Sequence, residues 1–159
     1  MTTHFSLLKN LFSFKGFKPY VLEAKEDIVI GLKSRRKRGI CPKCRKRCSC
    51  IETEQECLVR DLDLGEKRCF LRFNQKKLRC NCGYRGSEQL DFLGKYDRVT
   101  TRLAEKVARD CEEATLKEVA SRYRLNWKTV KEIDKEYIRQ LLPKIAELKI
   151  TRLAIDEIA

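Results

Sequence analysis

The 159 residues carry 36 Lys and Arg against 23 Asp and Glu, a formal net charge of +13, within a composition that is 42% hydrophobic. That apolar share excludes a disordered polycation, and a chain of this length suffices for one domain, or two small ones, with a real core. The charge is then a surface field, and it favours a polyanionic partner: nucleic acid first, an acidic membrane surface second.

Nine cysteines require a compartment. The opening stretch MTTHFSLLKNLFSF has no basic leader, and Lys9 and Asn10 interrupt its apolar run, which predicts no export. The longest clean apolar run, Ile28 to Leu32, falls far short of the roughly 18 residues of a membrane span. A cytoplasmic, nucleoid-associated chain without membrane attachment is expected. In that setting the cysteines are metal ligands or buried thiols rather than disulfides.

Tyr20 to Leu22 and Ile28 to Leu32 read as short strands, with Glu26 and Asp27 suited to the turn between them. Next comes KSRRKRGICPKCRKR, residues 33–47, with nine basic residues and no acid. After Cys57 the segment LVRDLDLGEKRCFLRF alternates at period two. Cys69, Leu71 and Phe73 share one face, Phe70 and Arg72 the other, and Gly65 falls where a hairpin would turn. Cys57, Cys69 and Cys111 sit inside strand or helix patterns and read as core cysteines.

Helical periodicity takes over beyond residue 97. Leu103, Val107 and Cys111 recur every fourth residue as a buried stripe. Thr115 with Glu118 is a capping-box pattern, followed by Leu116, Val119, Ala120 and Tyr123 as an inner face. Arg124 and Leu125 make a turn. Asn126 caps a second helix that carries Trp127, Val130 and Ile133 inward and runs through Tyr137 and Leu141 to Pro143. The last twelve residues, LKITRLAIDEIA, start as a strand with Ile150, Leu153 and Ile155 apolar.

Charge and cysteines divide the chain in the same place. Residues 1–96 hold 22 basic and 11 acidic side chains and eight of the cysteines, whereas residues 97–159 hold 14 and 12 and only Cys111. The expected fold is α+β. A basic, cysteine-rich, β-rich module spans 1–96, a helix-turn-helix spans 97–147, and a lone strand spans 148–159.

Cys41 and Cys44 of CPKC, with Cys80 and Cys82 of CNCG, supply two pairs of thiolates, the donor set of a structural Zn²⁺. The second pair is C-x-C rather than C-x-x-C, and 35 residues separate Cys44 from Cys80, so Cys48 and Cys50 stand as alternative ligands. Unliganded thiols and an iron–sulfur cluster are the competing readings.

The run containing Arg35, Arg36, Lys37, Arg38, Lys43, Arg45, Lys46 and Arg47 is suited to DNA phosphates, and a solvated face is its bland counterpart. In the helix pair, Ala120 is the small residue at the crossing. Asn126, Lys128, Thr129 and Lys131 lie toward a major groove, with an ordinary helical hairpin as the alternative. The pattern departs at Arg124, where glycine usually makes the turn.

Taken in order, RRKRGICPKC, LVRDLDLGEKRCFLRFNQKKLRCNCG, TLKEVASRYRLNWKTVKEI and LAIDEIA resemble the N-terminal part of an insertion-sequence DDE transposase of the ISL-three family. The resemblance implies a zinc-binding domain, a helix-turn-helix and then an RNase H-like catalytic domain, with double-stranded DNA at transposon ends as partner. It makes Asp156 the first of three catalytic carboxylates and LAIDE the first catalytic strand. Mg²⁺ belongs only to a complete catalytic domain.

The sequence stops three residues after Asp156, so the expectation is a chain catalytically incomplete by itself. A homo-oligomer is compatible with this reading. A non-enzymatic, zinc-dependent DNA-binding regulator is the alternative, and an RNA-binding zinc protein a third.

Overall fold

A computed structural model describes Leu8, residues 10–94 and residues 98–142. The chain divides into two compact units at Lys106/Val107, a point inside a helix.

The first unit is built on a long antiparallel ribbon. Strand β5 (Ile51–Leu64) turns through Gly65 and Glu66 into β6 (Lys67–Arg79). Gly65 takes φ +64°, the left-handed conformation that this turn demands and glycine adopts without strain. β6 is also the centre of the sheet. It pairs in parallel with β2 (Ile28–Ser34), which pairs antiparallel with β1 (Phe17–Ala24), and the short β7 (Arg85–Ser87) runs antiparallel to its last three residues.

The expected alternation is present in register. Cys69, Leu71 and Phe73 of β6 lie beside Ile28, Ile30 and Leu32 of β2 and opposite Asp61, Val59 and Cys57 of β5. Over this face Phe12, Phe17, Leu90 and Phe92 complete a core in which Phe17, Phe73 and Phe92 meet edge to face at 5.2–6.2 Å.

A parallel strand pair needs a crossover, and here the crossover is the basic, cysteine-bearing segment followed by β5. It contains a two-residue-stranded hairpin, β3 (Gly39–Ile40) against β4 (Arg47–Cys48).

One carboxylate in this core is fully buried. Asp61 Oδ1 accepts hydrogen bonds from Thr100 Oγ1 and Arg102 Nε, each at 2.7 Å, while Oδ2 faces the second guanidinium nitrogen of Arg102. Arg102 also donates to the Leu11 carbonyl at 2.9 Å and stacks over Phe12 and Phe14. Thr100 caps helix α1 (Thr101–Asp110) by accepting from the Leu103 amide. The core face of the sheet is thereby tied to the start of α1.

The second unit continues from α1 into α2 (Leu116–Tyr123) and α3 (Trp127–Leu141). Val107, Val119, Val130 and Ile133 are buried to 2% exposure or less. Asp110 closes the unit by accepting from Tyr123 Oη and Arg122 Nη1, both at 2.9 Å.

Two expectations are corrected. Trp127 does not turn inward: at the first position of α3 it stands 48% exposed, about 60° round the helix from Val130 and about 120° from Ile133, at the margin of the buried stripe rather than within it. Of the three cysteines read as core, Cys69 is fully buried, but Cys57 and Cys111 are only half-buried. The terminal segment with Ile150 to Asp156 and the lone His4 lie outside the described residues.

Removing Asp61 takes the carboxylate from a partly exposed Arg102 guanidinium and the acceptor from the buried Thr100 hydroxyl. Asp61→Ala is expected to cost about 2 kcal/mol, the worth of hydrogen bonds to a charged group, read as a lower urea midpoint. An unchanged midpoint would contradict this role.

Candidate metal centre and helix-turn-helix

The cysteine centre is assembled from two turns at the ends of hairpins. In the first, between β3 and β4, the Arg45 amide bonds back to the Cys41 carbonyl at 2.8 Å and the Cys41 amide to the Lys46 carbonyl at 3.0 Å. Arg45 takes φ +57° to close it. In the second, between β6 and β7, the Gly83 amide bonds to the Cys80 carbonyl at 3.0 Å and the Cys80 amide to the Tyr84 carbonyl at 2.9 Å. Gly83 sits at φ +84°. This tighter turn is how a C-x-C pair presents both sulfurs on one side.

The four sulfurs of Cys41, Cys44, Cys80 and Cys82 lie within 4.8 Å of one another. The cross-turn pairs are 3.6 Å (Cys41 to Cys82) and 3.7 Å (Cys44 to Cys80). A tetrahedron with zinc–sulfur bonds of about 2.3 Å has sulfur–sulfur edges of about 3.8 Å. The spacing therefore fits a zinc ion and is far too long for disulfides.

Thiol chemistry agrees. Burial raises the Cys41 thiol, but the Cys44 and Lys43 amides and the neighbouring thiols outweigh it and bring it down to about 7. For Cys80 the Cys82 amide lowers the value, yet burial and the three neighbouring thiols push it up to about 12. Four sulfurs this close cannot all ionise without a cation among them, and a divalent metal supplies that charge.

Cys48 and Cys50 are not brought into the group. Cys48 Sγ is turned toward the Arg79 carbonyl at 3.2 Å, and Cys50 is exposed.

Part of the basic run lies on this centre's first turn and part in the segment before β3. Arg35, Lys37 and Arg38 are exposed between β2 and β3, and Lys43, Arg45, Lys46 and Arg47 are exposed on and beside the first cysteine turn. Arg36 is half-buried, its carbonyl accepting from Lys76 Nζ at 2.8 Å. None of these eight cations forms an ion pair with another described residue.

In the second unit, Thr115 accepts from the Glu118 amide while the Glu118 carboxylate accepts from the Thr115 amide at 2.9 Å, completing the capping box. Helix α2 ends in a Schellman motif. Arg124 occupies the left-handed position at φ +51°, its amide bonds to Ser121 O, and the Leu125 amide reaches back to Ala120 O.

Arginine thus does what glycine usually does at this turn. Three residues, 124–126, connect the helices, and Asn126 Oδ1 caps α3 by accepting from the Lys128 amide at 2.9 Å. Asn126, Lys128 and Lys131 are exposed, Thr129 is half-buried, and Asp156 is outside the described residues.

Two family models match the chain: the zinc-finger of transposase IS204/IS1001/IS1096/IS1165 over residues 37–82, and the helix-turn-helix domain of transposase family ISL3 over residues 88–138. The transposase for insertion sequence element IS1001 of Bordetella parapertussis is 34% identical over 158 aligned residues, covering 96% of this chain. The chain spans 39% of that relative's length. No solved structure matches it. None of the described helices is long and apolar enough to cross a membrane.

The purified chain should hold one zinc per molecule by elemental analysis. Cys44→Ser and Cys80→Ser should lose the metal, and Cys50→Ser should keep it. Metal retained in Cys80→Ser would overturn this ligand set.

The second prediction concerns the capping box. The Thr115 hydroxyl and amide, with Arg122 nearby, hold the Glu118 carboxyl below the ordinary glutamate range against a small opposing effect of burial. Its contribution is therefore present above the unfolded value and lost as pH falls through the folded one. The gap in melting temperature between the parent and Glu118→Gln should close on acidification; a gap constant with pH would refute the assignment.

Proposed function

The chain belongs to transposase family ISL3, and on that premise we propose that it binds double-stranded DNA at the terminal inverted repeats of an insertion sequence, as the recognition region for DNA transposition. The observation that carries this is the α2–α3 pair, a three-residue connection with Lys128 and Lys131 exposed on the first turns of the second helix.

In this reading residues 1–96 form the zinc-binding module, 97–147 the helix-turn-helix, and 148–159 the first strand of an RNase H-like catalytic domain. Cys41, Cys44, Cys80 and Cys82 hold one structural Zn²⁺, which fixes the two turns and neutralises the thiolates. Arg35, Arg36, Lys37, Arg38, Lys43, Arg45, Lys46 and Arg47 contact phosphates, so their contribution is independent of sequence and sensitive to salt. Asn126, Lys128, Thr129 and Lys131 face the major groove and supply sequence preference.

Asp156 is the first carboxylate of a DDE centre that, when complete, uses Mg²⁺ to activate water and then a 3′ hydroxyl for strand cleavage and transfer. Association with the nucleoid follows from DNA binding.

Binding to a duplex selected from a random pool tests the division of labour. Lys128→Ala or Thr129→Ala should reduce the preference for the selected site over random duplex by about tenfold. Arg36→Ala with Arg38→Ala should weaken binding to every duplex and lower the salt slope by about 2. Equal effects from the two sets on specificity and on salt dependence would overturn the assignment.

A further inference from the structure

The exposed face of α3 is divided along its length. In its second half, Lys135 pairs with Glu132 at 3.6 Å and Arg139 with Glu136 at 3.5 Å, so each cation there is answered by a carboxylate one turn back. In its first half, Lys128 and Lys131 form no ion pair with another described residue. Their ammonium groups lie instead 6.0 and 5.9 Å from the ring centre of Trp127, both contributed by residues that follow it in sequence.

Trp127 is the sole tryptophan of the chain and stands 48% exposed. Tryptophan is a large apolar side chain with a single polar N–H, and no structural role in the described residues uses it: the helix core is made by Val119, Val130 and Ile133. What the first turn of α3 presents is a flat apolar ring with two unneutralised cations beside it. An apolar peptide partner would leave both lysines facing carbon, and an acidic peptide would have no need of the ring. The floor of a DNA major groove offers both complements at once, guanine acceptors on its base edges and the thymine 5-methyl as its one apolar group.

We propose that Trp127 is a specificity-determining residue whose indole packs on a thymine methyl in the major groove, with Lys128 and Lys131 leaving the ring for the base-edge acceptors beside it. This rests on α3 being the base-reading helix, and it adds an apolar contact to the polar ones assigned above. It gives Trp127 a reason to be outside. It stands at the margin of the buried stripe, and the groove buries what the protein leaves exposed.

The experiment is a selection of duplexes from a random pool by the intact chain, repeated with Trp127→Ala and Trp127→Phe. The parent should select a site with a thymine required at one position, and Trp127→Ala should lose the preference at that position alone. Replacing that thymine by uracil, which removes only the methyl, should weaken the parent about fourfold, the worth of one buried methyl group. It should leave Trp127→Ala indifferent.

The sole indole also reports directly: its fluorescence should be quenched and blue-shifted by the selected duplex and much less by the uracil duplex. Melting curves of the two variants should match the parent, since the side chain is exposed.

If Trp127→Ala selects the same site with the same preference, or uracil substitution affects parent and variant equally, the assignment of Trp127 is wrong while DNA reading by α3 stands. If the parent selects no sequence at all, the DNA-reading proposal fails and this one with it.

Discussion

The β5–β6 ribbon is the constraint on which the first unit depends. Its two strands are joined by a two-residue turn at Gly65, and β6 is hydrogen-bonded along both edges, to β5 on one side and to β2 and then β7 on the other. One end of β6 enters the aromatic core at Cys69, Leu71 and Phe73, and the other runs straight into Cys80. Any change in its register would move a whole face of side chains out of the core and rotate Cys80 away from its partners. A rigid strand is therefore what sets the aim of the second cysteine pair.

The two ends of that strand are held by different physics. Around residues 69–73 apolar burial is sufficient, and a single buried carboxylate, Asp61, orients what packs above it. Around residues 39–50 the buried side chains are few, essentially Cys41 and Cys48. A hairpin of two-residue strands does not stand by itself in water. A metal bound by four thiolates supplies in one centre what a core supplies elsewhere, as small domains with few apolar residues require.

Cations are likewise used in two ways. Arg60, Arg68, Arg85, Arg102 and Arg122 each meet a carboxylate within the fold and serve as struts. The cations of residues 35–47, and Lys128 and Lys131 on α3, pair with no described carboxylate. A net charge of +13 is thus not spread evenly. Part of what is left unpaired lies on the segment before the first cysteine turn, on that turn and on the start of one helix, where a polyanion can reach it.

Much of this was written in local sequence. Period-two alternation around Gly65 specified the ribbon because side chains alternate faces in any strand, whatever the neighbours. Thr115 with Glu118, and Asn126, specified the helix starts because caps act on amides two or three residues away. CPKC marked the first metal turn for the same reason. Tertiary structure decided the rest. Spacing favoured Cys41, Cys44, Cys80 and Cys82 but left Cys48 and Cys50 as alternatives, and it is the pairing of β3 with β4 and β6 with β7 that brings the first four together. Asp61 was one acid among several until the sheet buried it beneath Arg102. Trp127 looked like core by hydrophobicity and by its spacing from Val130, yet it stands half exposed at the first position of α3, where the packing that buries Val130 and Ile133 does not cover it. Local chemistry fixes what lies within a turn, whereas choosing among equivalent residues takes partners distant in the chain, which only the folded backbone brings together.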